Sequence, residues 1–438
     1  MKKSGSRPGV VRFFHGCVIF IFYNIGSRIF AGIRMFIKQL ASALLPLCLL
    51  AAAGHAVARN PVILVSIDGF RADYLERGVS PTLNQLAAGG VRAEAMRPSF
   101  PSVTFPNHYT LVTGLRPDHH GLVDNTMLDP AIPGERFTLS NNAAVADRRW
   151  WDQAEPVWVT AERNGLRSAT MFWPGSEAAI HGVRPSVAPR FDGKLPANDR
   201  VDRLLSWLDG PPDALPGFLT LYLDDVDHAG HTHGPDDEHT TQAVAHVDQA
   251  LARLMQGLAS RHLNPNLVIV SDHGMAPLSR ERVIRMDALA PENSYRVTAS
   301  GPYASFDAVP GQEAALDAAL LRAHEHMQCW HKADIPARFV YGSNPRVPQY
   351  LCLGEPGWAL VFNERGAARV KGGGHGYDNM APEMRAMFIA SGPAFKPGVV
   401  LPAFDNVDVY PLLMRLLELA PLPSDGEITP LLPALQQQ

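Results

Sequence analysis

The hydrophobic positions of this chain fall into two alternating kinds of stretch. Short, largely apolar runs occur at Pro61 to Ile67, Ser168 to Phe172, Phe218 to Leu223, Leu267 to Val270 and Met387 to Ala390, with a further strand over Val91 to Ala95. Runs of this length predict strands buried on both faces. Between them lie stretches with helical spacing. Ser80 to Gly90 carries a serine at the N-cap position, a proline at the first helical position and glycines at its end. Pro156 to Gly165 ends on a glycine stop, and Thr240 to His262 repeats apolar residues at Val244, Val247, Leu251, Leu254 and Leu258. Helices over Gln312 to Cys329 and Val407 to Leu419 complete the pattern. Strand and helix in alternation predict an α/β fold, a doubly wound and mostly parallel sheet with helices on both faces.

Two departures divide the chain. From about residue 280 to 370 the periodicity weakens into short strands and Pro- and Gly-rich turns, which predicts a smaller lobe inserted into one domain spanning 59–438. Residues 1–58 read as a targeting segment, a signal peptide starting at Met35. It has a short basic start, an apolar run from Leu40 to Ala53 and a small-residue cleavage site at Ala56-Val57-Ala58. The expected location is periplasmic or secreted, with no stable membrane association once the signal is cleaved. Cleavage would remove Cys17 and Cys48, leaving Cys329 and Cys352 as an expected disulfide in an oxidising compartment.

Composition narrows the partners. With 46% hydrophobic and 19% charged residues in 438, the chain is ordinary globular material, neither disordered nor collagen-like. A net charge of −4 without a basic stripe excludes nucleic-acid polymers as electrostatic partners and leaves a small-molecule substrate.

The residues that carry chemistry gather where the predicted strands end, which is where α/β sheets bind ligands. Asp68 closes the first run, Asp227 and His231 follow the run ending at Leu223, Asp272 and His273 follow Val270, and His375 sits in a glycine-rich turn. Carboxylate and imidazole without thiolate suit zinc or another borderline divalent ion in a hydrolytic site. Six such ligands and a hydroxyl suffice for two ions that clamp a phosphoryl displacement. The hydroxyl is Thr104, in the proline-rich stretch Arg97 to His108, which reads as a rigid, placed loop. Asn125 returns to the same edge. Spacing leaves one choice open: Asp224 with His228, or Asp227 with His231, are both four apart, and His233 is a further candidate.

Together, Ser66-Ile67-Asp68-Gly69, Pro101-Ser102-Val103-Thr104-Phe105-Pro106-Asn107-His108, Trp173-Pro174-Gly175-Ser176, Asp227 to Pro235, Ser271-Asp272-His273-Gly274-Met275 and Gly374-His375-Gly376-Tyr377-Asp378-Asn379 carry a resemblance. In this order, over Asn60 to Gly426, the chain resembles the nucleotide pyrophosphatase/phosphodiesterase family of the alkaline phosphatase superfamily, and would be a secreted bacterial member. The resemblance implies an alkaline-phosphatase-like catalytic domain, two zinc ions per chain and a threonine nucleophile, Thr104. It implies Asp227, His231 and His375 on one zinc and Asp68, Thr104, Asp272 and His273 on the other, which settles the spacing in favour of Asp227 and His231. Nucleotide phosphodiester or pyrophosphate bonds would be cleaved to a nucleoside 5'-monophosphate through a phosphothreonine. Asn125 and the Phe105 N–H are expected to hold the non-bridging oxygens. Phe105 and Tyr222 match positions where family members stack a base, with Phe191 as a further contributor. The rival readings are a phospholipid or choline-phosphate diesterase of the same family, a phosphate monoesterase, and a non-catalytic metal-binding protein.

Overall fold

The computed structural model describes residues 60–211 and 214–437; the expected targeting segment, with Met35, Cys17 and Cys48, lies outside the described residues. Strand β1 (Val62–Ile67) is buried throughout, and its alternate side chains enter two different cores. Val62 and Leu64 share one with Tyr109, Trp158 and Leu412. Ile63, Val65 and Ile67 share the other with Leu83, Val201, Val244 and Leu251. A strand with no wet face needs no polar alternation, hence a run that is apolar but for Ser66. Each such side chain contributes about 1.5–3 kcal/mol by leaving water.

The first half of the fold continues with helix α1 (Pro81–Gly89), β2 (Val91–Ala93), α2 (Thr104–Thr113), α3 (Val157–Arg163), β3 (Ser168–Met171), α4 (Ala197–Ser206) and β4 (Phe218–Leu223). Then come α5 (Asp225–His233), α6 (Glu238–Ser260), β5 (Asn266–Val270), β6 (Tyr295–Ala299), β7 (Tyr303–Ala308), α7 (Glu313–Leu320), β8 (Met327–His331) and β9 (Tyr350–Gly354). The chain closes with β10 (Phe388–Ser391), β11 (Val399–Leu401) and α8 (Val409–Leu416).

The main sheet has the order β11-β2-β10-β5-β1-β4-β3. Only β10 runs against its neighbours; the remaining pairs are parallel. It is the α/β architecture that the alternation predicts, in the alkaline-phosphatase-like form that the resemblance implies. Strand β1 lies between β4 and β5, with Ser66 level with Tyr222 on one side and Val270 on the other. The carboxyl ends of three neighbouring strands therefore finish together. A second, antiparallel sheet, β6-β7-β9-β8, lies within the stretch where the periodicity weakens. Cys329 and Cys352 face each other across β8 and β9 and are joined by a disulfide.

Three local expectations are corrected. The helix expected over Gln312 to Cys329 stops at Leu320, because Leu316 and Leu320 are its buried anchors and the polar residues beyond lead into β8. Ser80 stands at the N-cap of α1 but makes no capping bond, and its hydroxyl is buried without a partner. The cap comes instead from Asp248 of α6, whose carboxylate accepts from the N–H groups of Thr82 (3.0 Å) and Leu83 (2.8 Å). One anion satisfies two orphan donors at the positive end of the helix, which a single hydroxyl cannot do. Thr104 is not in a loop: it is the first residue of α2.

Asp248→Ala is expected to destabilise the fold by about 1–3 kcal/mol, since it leaves two N–H groups unpaired beside a buried position. Urea denaturation checks this, and an unchanged midpoint would show that water replaces the carboxylate.

Candidate active site

Residues Ser99 to Val103 are held by one side chain. Asn107, in the first turns of α2, donates to the carbonyls of Pro101 and Val103 (both 2.9 Å) and accepts from the Ser99 N–H (2.8 Å). Pro106 falls in the first turn of α2, where its missing N–H would have had no partner. Thr104 thus sits at the N-terminus of a helix. Its Oγ1 lies 3.3 Å from His273 Nε2.

Around this hydroxyl the structure brings together every residue read as a ligand. Asp227, His231 and His375 form one group able to hold a cation, and Asp68, Asp227 and His273 another; Asp68 and Asp272 form a third with His108. Asp227 Oδ1 is 3.4 Å from His231 Nε2 and 3.6 Å from His375 Nε2. His273 Nε2 is 3.0 Å from Asp272 Oδ2 and 3.5 Å from Asp68 Oδ1. The three imidazoles share one device. Nδ1 of His231, His273 and His375 lies 2.9 Å from the carbonyl of Gly373, Gly274 and Ser102 respectively. Each Nδ1–H is thereby committed to the backbone, so it is Nε2 that faces inward, and an ion there would take the place of any proton it carries. Asp68 Oδ1, Asp227 Oδ1 and Asp272 Oδ2 are buried and accept no hydrogen bond. Lone pairs facing lone pairs at these distances fit a divalent cation.

The electrostatics follow from crowding. Burial pushes the Asp68 carboxyl well above its ordinary range, and the Asp272 and Asp227 charges add to the rise. Burial also opposes charge on Asp272, but His273 and His108 outweigh it and hold that carboxyl low. Burial keeps the His375 imidazole neutral, helped by His273 and His231.

Asp224 and His228 fall elsewhere. Asp224 Oδ1 accepts from the buried Arg200 guanidinium at 2.7 Å, and His228 lines a neighbouring cavity. His233 stacks on His239 at the surface, with ring centroids 4.2 Å apart. The cavity, about 250 Å³, adjoins Thr104 and is walled by Phe105, Phe172, Trp173, Phe191 and Tyr222. Phe105 packs inward on Phe137 and Trp151, whereas Phe191 is 50% exposed at the mouth. The Tyr222 hydroxyl donates to Asp68 Oδ2 at 2.6 Å.

One expectation changes. The Phe105 N–H is not free, because it donates to Asn125 Oδ1 at 2.9 Å. The bond fixes the amide so that its Nδ2 is the group left to face a ligand. Sequence reading also missed His108, which lies 2.8 Å from Ser66 Oγ and 2.8 Å from the Thr104 carbonyl, tying α2 to β1. Its spacing of four from Thr104 becomes a signal once α2 is known to begin there.

The family model for type I phosphodiesterase / nucleotide pyrophosphatase matches residues 62–378. The chain belongs to this family. It is accordingly an enzyme of the phosphodiesterase class. It is 38% identical over 395 residues to an uncharacterized pyrophosphatase/phosphodiesterase of Schizosaccharomyces pombe, covering 87% of this chain and 81% of that one. It is 36% identical to ectonucleotide pyrophosphatase/phosphodiesterase family member 3 of Rattus norvegicus, covering 84% of this chain but 43% of the rat protein. The chain thus spans less than half the length of that relative. Murine ectonucleotide pyrophosphatase/phosphodiesterase 5 superposes with a TM-score of 0.82 at 33% identity, over 86% of this chain and 100% of the other. That protein has also been solved as an inactive threonine-to-alanine form in complex with AMP.

Gly69, next to Asp68, has φ +70° and packs so closely that a Cβ would lie 2.9 Å from the Asp227 Cα. Gly69→Ala is expected to push two ligand-bearing turns apart and weaken divalent-metal binding roughly 10- to 100-fold, the range for lost outer support. Titration calorimetry with zinc measures it; wild-type affinity would show that this close approach is dispensable.

Proposed function

We propose that the chain is a two-zinc phosphodiesterase/pyrophosphatase that cleaves nucleotides to nucleoside 5'-monophosphates through a phosphothreonine on Thr104. The observation that carries the reading is the set of buried, unbonded carboxylate oxygens and inward-facing imidazole lone pairs beside one hydroxyl and one aromatic cavity. Asp227, His231 and His375 would hold one ion; Asp68, Thr104, Asp272 and His273 the other. The count of two has support in ring geometry. The His273 and His375 rings stack 3.5 Å apart and only 13° from parallel. An imidazole lone pair lies in its own ring plane, so two stacked rings serve different ions. When bound, the ions supply Lewis acidity, lowering the pKa of a hydroxyl and neutralising phosphoryl charge.

The chain's own residues then account for the turnover. Thr104 Oγ1 bonds to phosphorus as the bond to the leaving group breaks, and water later replaces the threonine oxygen. The N-terminus of α2 favours the anionic phosphoryl group, and Asn125 Nδ2 donates to a non-bridging oxygen. The inactive threonine-to-alanine form of the murine relative with AMP supports both the nucleophile and the nucleotide. The aromatic walls of the cavity, Phe105, Phe172, Trp173, Phe191 and Tyr222, support a base as the group it takes. The Cys329–Cys352 disulfide supports a periplasmic or secreted location. Among the described residues no helix is long and apolar enough to cross a membrane.

Thr104→Ala is expected to lower kcat on a thymidine-monophosphate nitrophenyl ester by several orders of magnitude, as loss of a nucleophile does. Turnover above about a tenth of wild type would mean that water attacks directly. Phe105→Ala should cut kcat/KM for that ester about 5- to 150-fold, the loss of one base stack. Bis-nitrophenyl phosphate, which has no base, should be hydrolysed almost as before, and equal losses on both would make the ring a packing support. Tyr222→Phe keeps the ring but frees Asp68, so it should retain the preference for the nucleoside ester.

A further inference from the structure

We propose that Tyr303 is a positioning residue for catalysis, fixing from the second sheet the turn that presents the Asn125 amide. The inference rests on the reading of Asn125 above and extends the working site into the antiparallel sheet. Strand β7 begins at Tyr303, whose hydroxyl donates to Asp124 Oδ2 at 2.7 Å; the other carboxylate oxygen accepts the Thr126 N–H at 3.2 Å. Tyr341 donates to the Val123 carbonyl at 3.0 Å. The two residues before Asn125 are thus each anchored by a tyrosine, Thr126 after it is held through Asp124, and its own side chain accepts from the Phe105 N–H. Asp124 is buried, and its carboxylate oxygens are engaged by the Tyr303 hydroxyl and the Thr126 N–H. Burial pushes it up to about 6, and the Tyr303 hydrogen bond is the strongest contact opposing that rise.

The same ring reaches two more parts of the site. A Cβ on Gly376, beside His375, would lie 2.9 Å from Tyr303 Cε1 and 3.2 Å from Val103 Cγ1, the residue before Thr104. Its centroid is 6.4 Å from that of Phe100, which also packs on Phe339 and Tyr341. In register, Tyr303 lies opposite Leu353, adjacent to the disulfide-bonded Cys352. One side chain of the second sheet thus abuts the turns that carry the amide, the nucleophile and His375.

The hydroxyl is what the test removes. In zinc-loaded protein, Asn125→Ala should lower kcat on the nucleoside ester by about 100-fold, the cost of one transition-state donor. Tyr303→Phe should lower kcat by about tenfold with KM little changed, within the range of coupled neighbours. Combined with Asn125→Ala, it should cost less than about twofold more, because the group it positions is gone. A full further tenfold loss in the double variant, or no loss in the single one, would overturn the proposal and leave the role of Asn125 standing. Wild-type kcat in Asn125→Ala would overturn both. Asp124→Asn perturbs the same bond from its other side, and the same non-additivity is expected of it if Tyr303→Phe does not fold.

Discussion

The oxygens of Asp68, Asp227 and Asp272 that face the imidazoles of His231, His273 and His375 are buried without donors. Leaving such atoms dry and unpaired is among the costliest things a fold can do. Positive charge delivered from outside answers all of them at once, and the rest of the molecule is arranged so that nothing inside does so first. Committing each Nδ1–H to a backbone carbonyl removes the imidazole protons from contention. Arg200 is engaged by Asp224.

Bringing those groups together is the work of the central strands. β1, β4 and β5 are level neighbours, so the residues just beyond them converge without long loops. Helix α2 brings the threonine in, steered by Asn107 at its base and by His108 one turn on. The antiparallel sheet approaches from outside and braces two of the turns through Tyr303. The cavity beside the hydroxyl then has apolar walls and a polar floor.

Much of this was legible in the sequence, for physical reasons. Strands buried on two faces are mostly apolar, so the runs ending at Ile67, Leu223 and Val270 announced both the sheet and the acids beyond it. What stayed hidden depended on partners distant in the chain. Spacing could not choose between Asp224 and Asp227, because the choice is made by Arg200. Ser80 had the composition of a cap, yet a carboxylate on α6 took the role. Thr104 read as loop because prolines surround it; Pro106 lies in the one turn of a helix that tolerates it. The polar helix expected past Leu320 had no buried anchors to hold it.

The order of strands across the sheet also bears on how the protein comes into being. β1 is among the earliest segments made, yet its two partners are β4 and β5, and the strand beyond β5 is β10, near the end of the chain. Contacts this far apart in sequence carry a large loop-closure cost and form late. His375 is translated after almost everything else. A nascent chain therefore holds no working hydrolase, and an ion that binds only the finished arrangement stabilises that arrangement alone. Synthesis and activity are separated in time by topology.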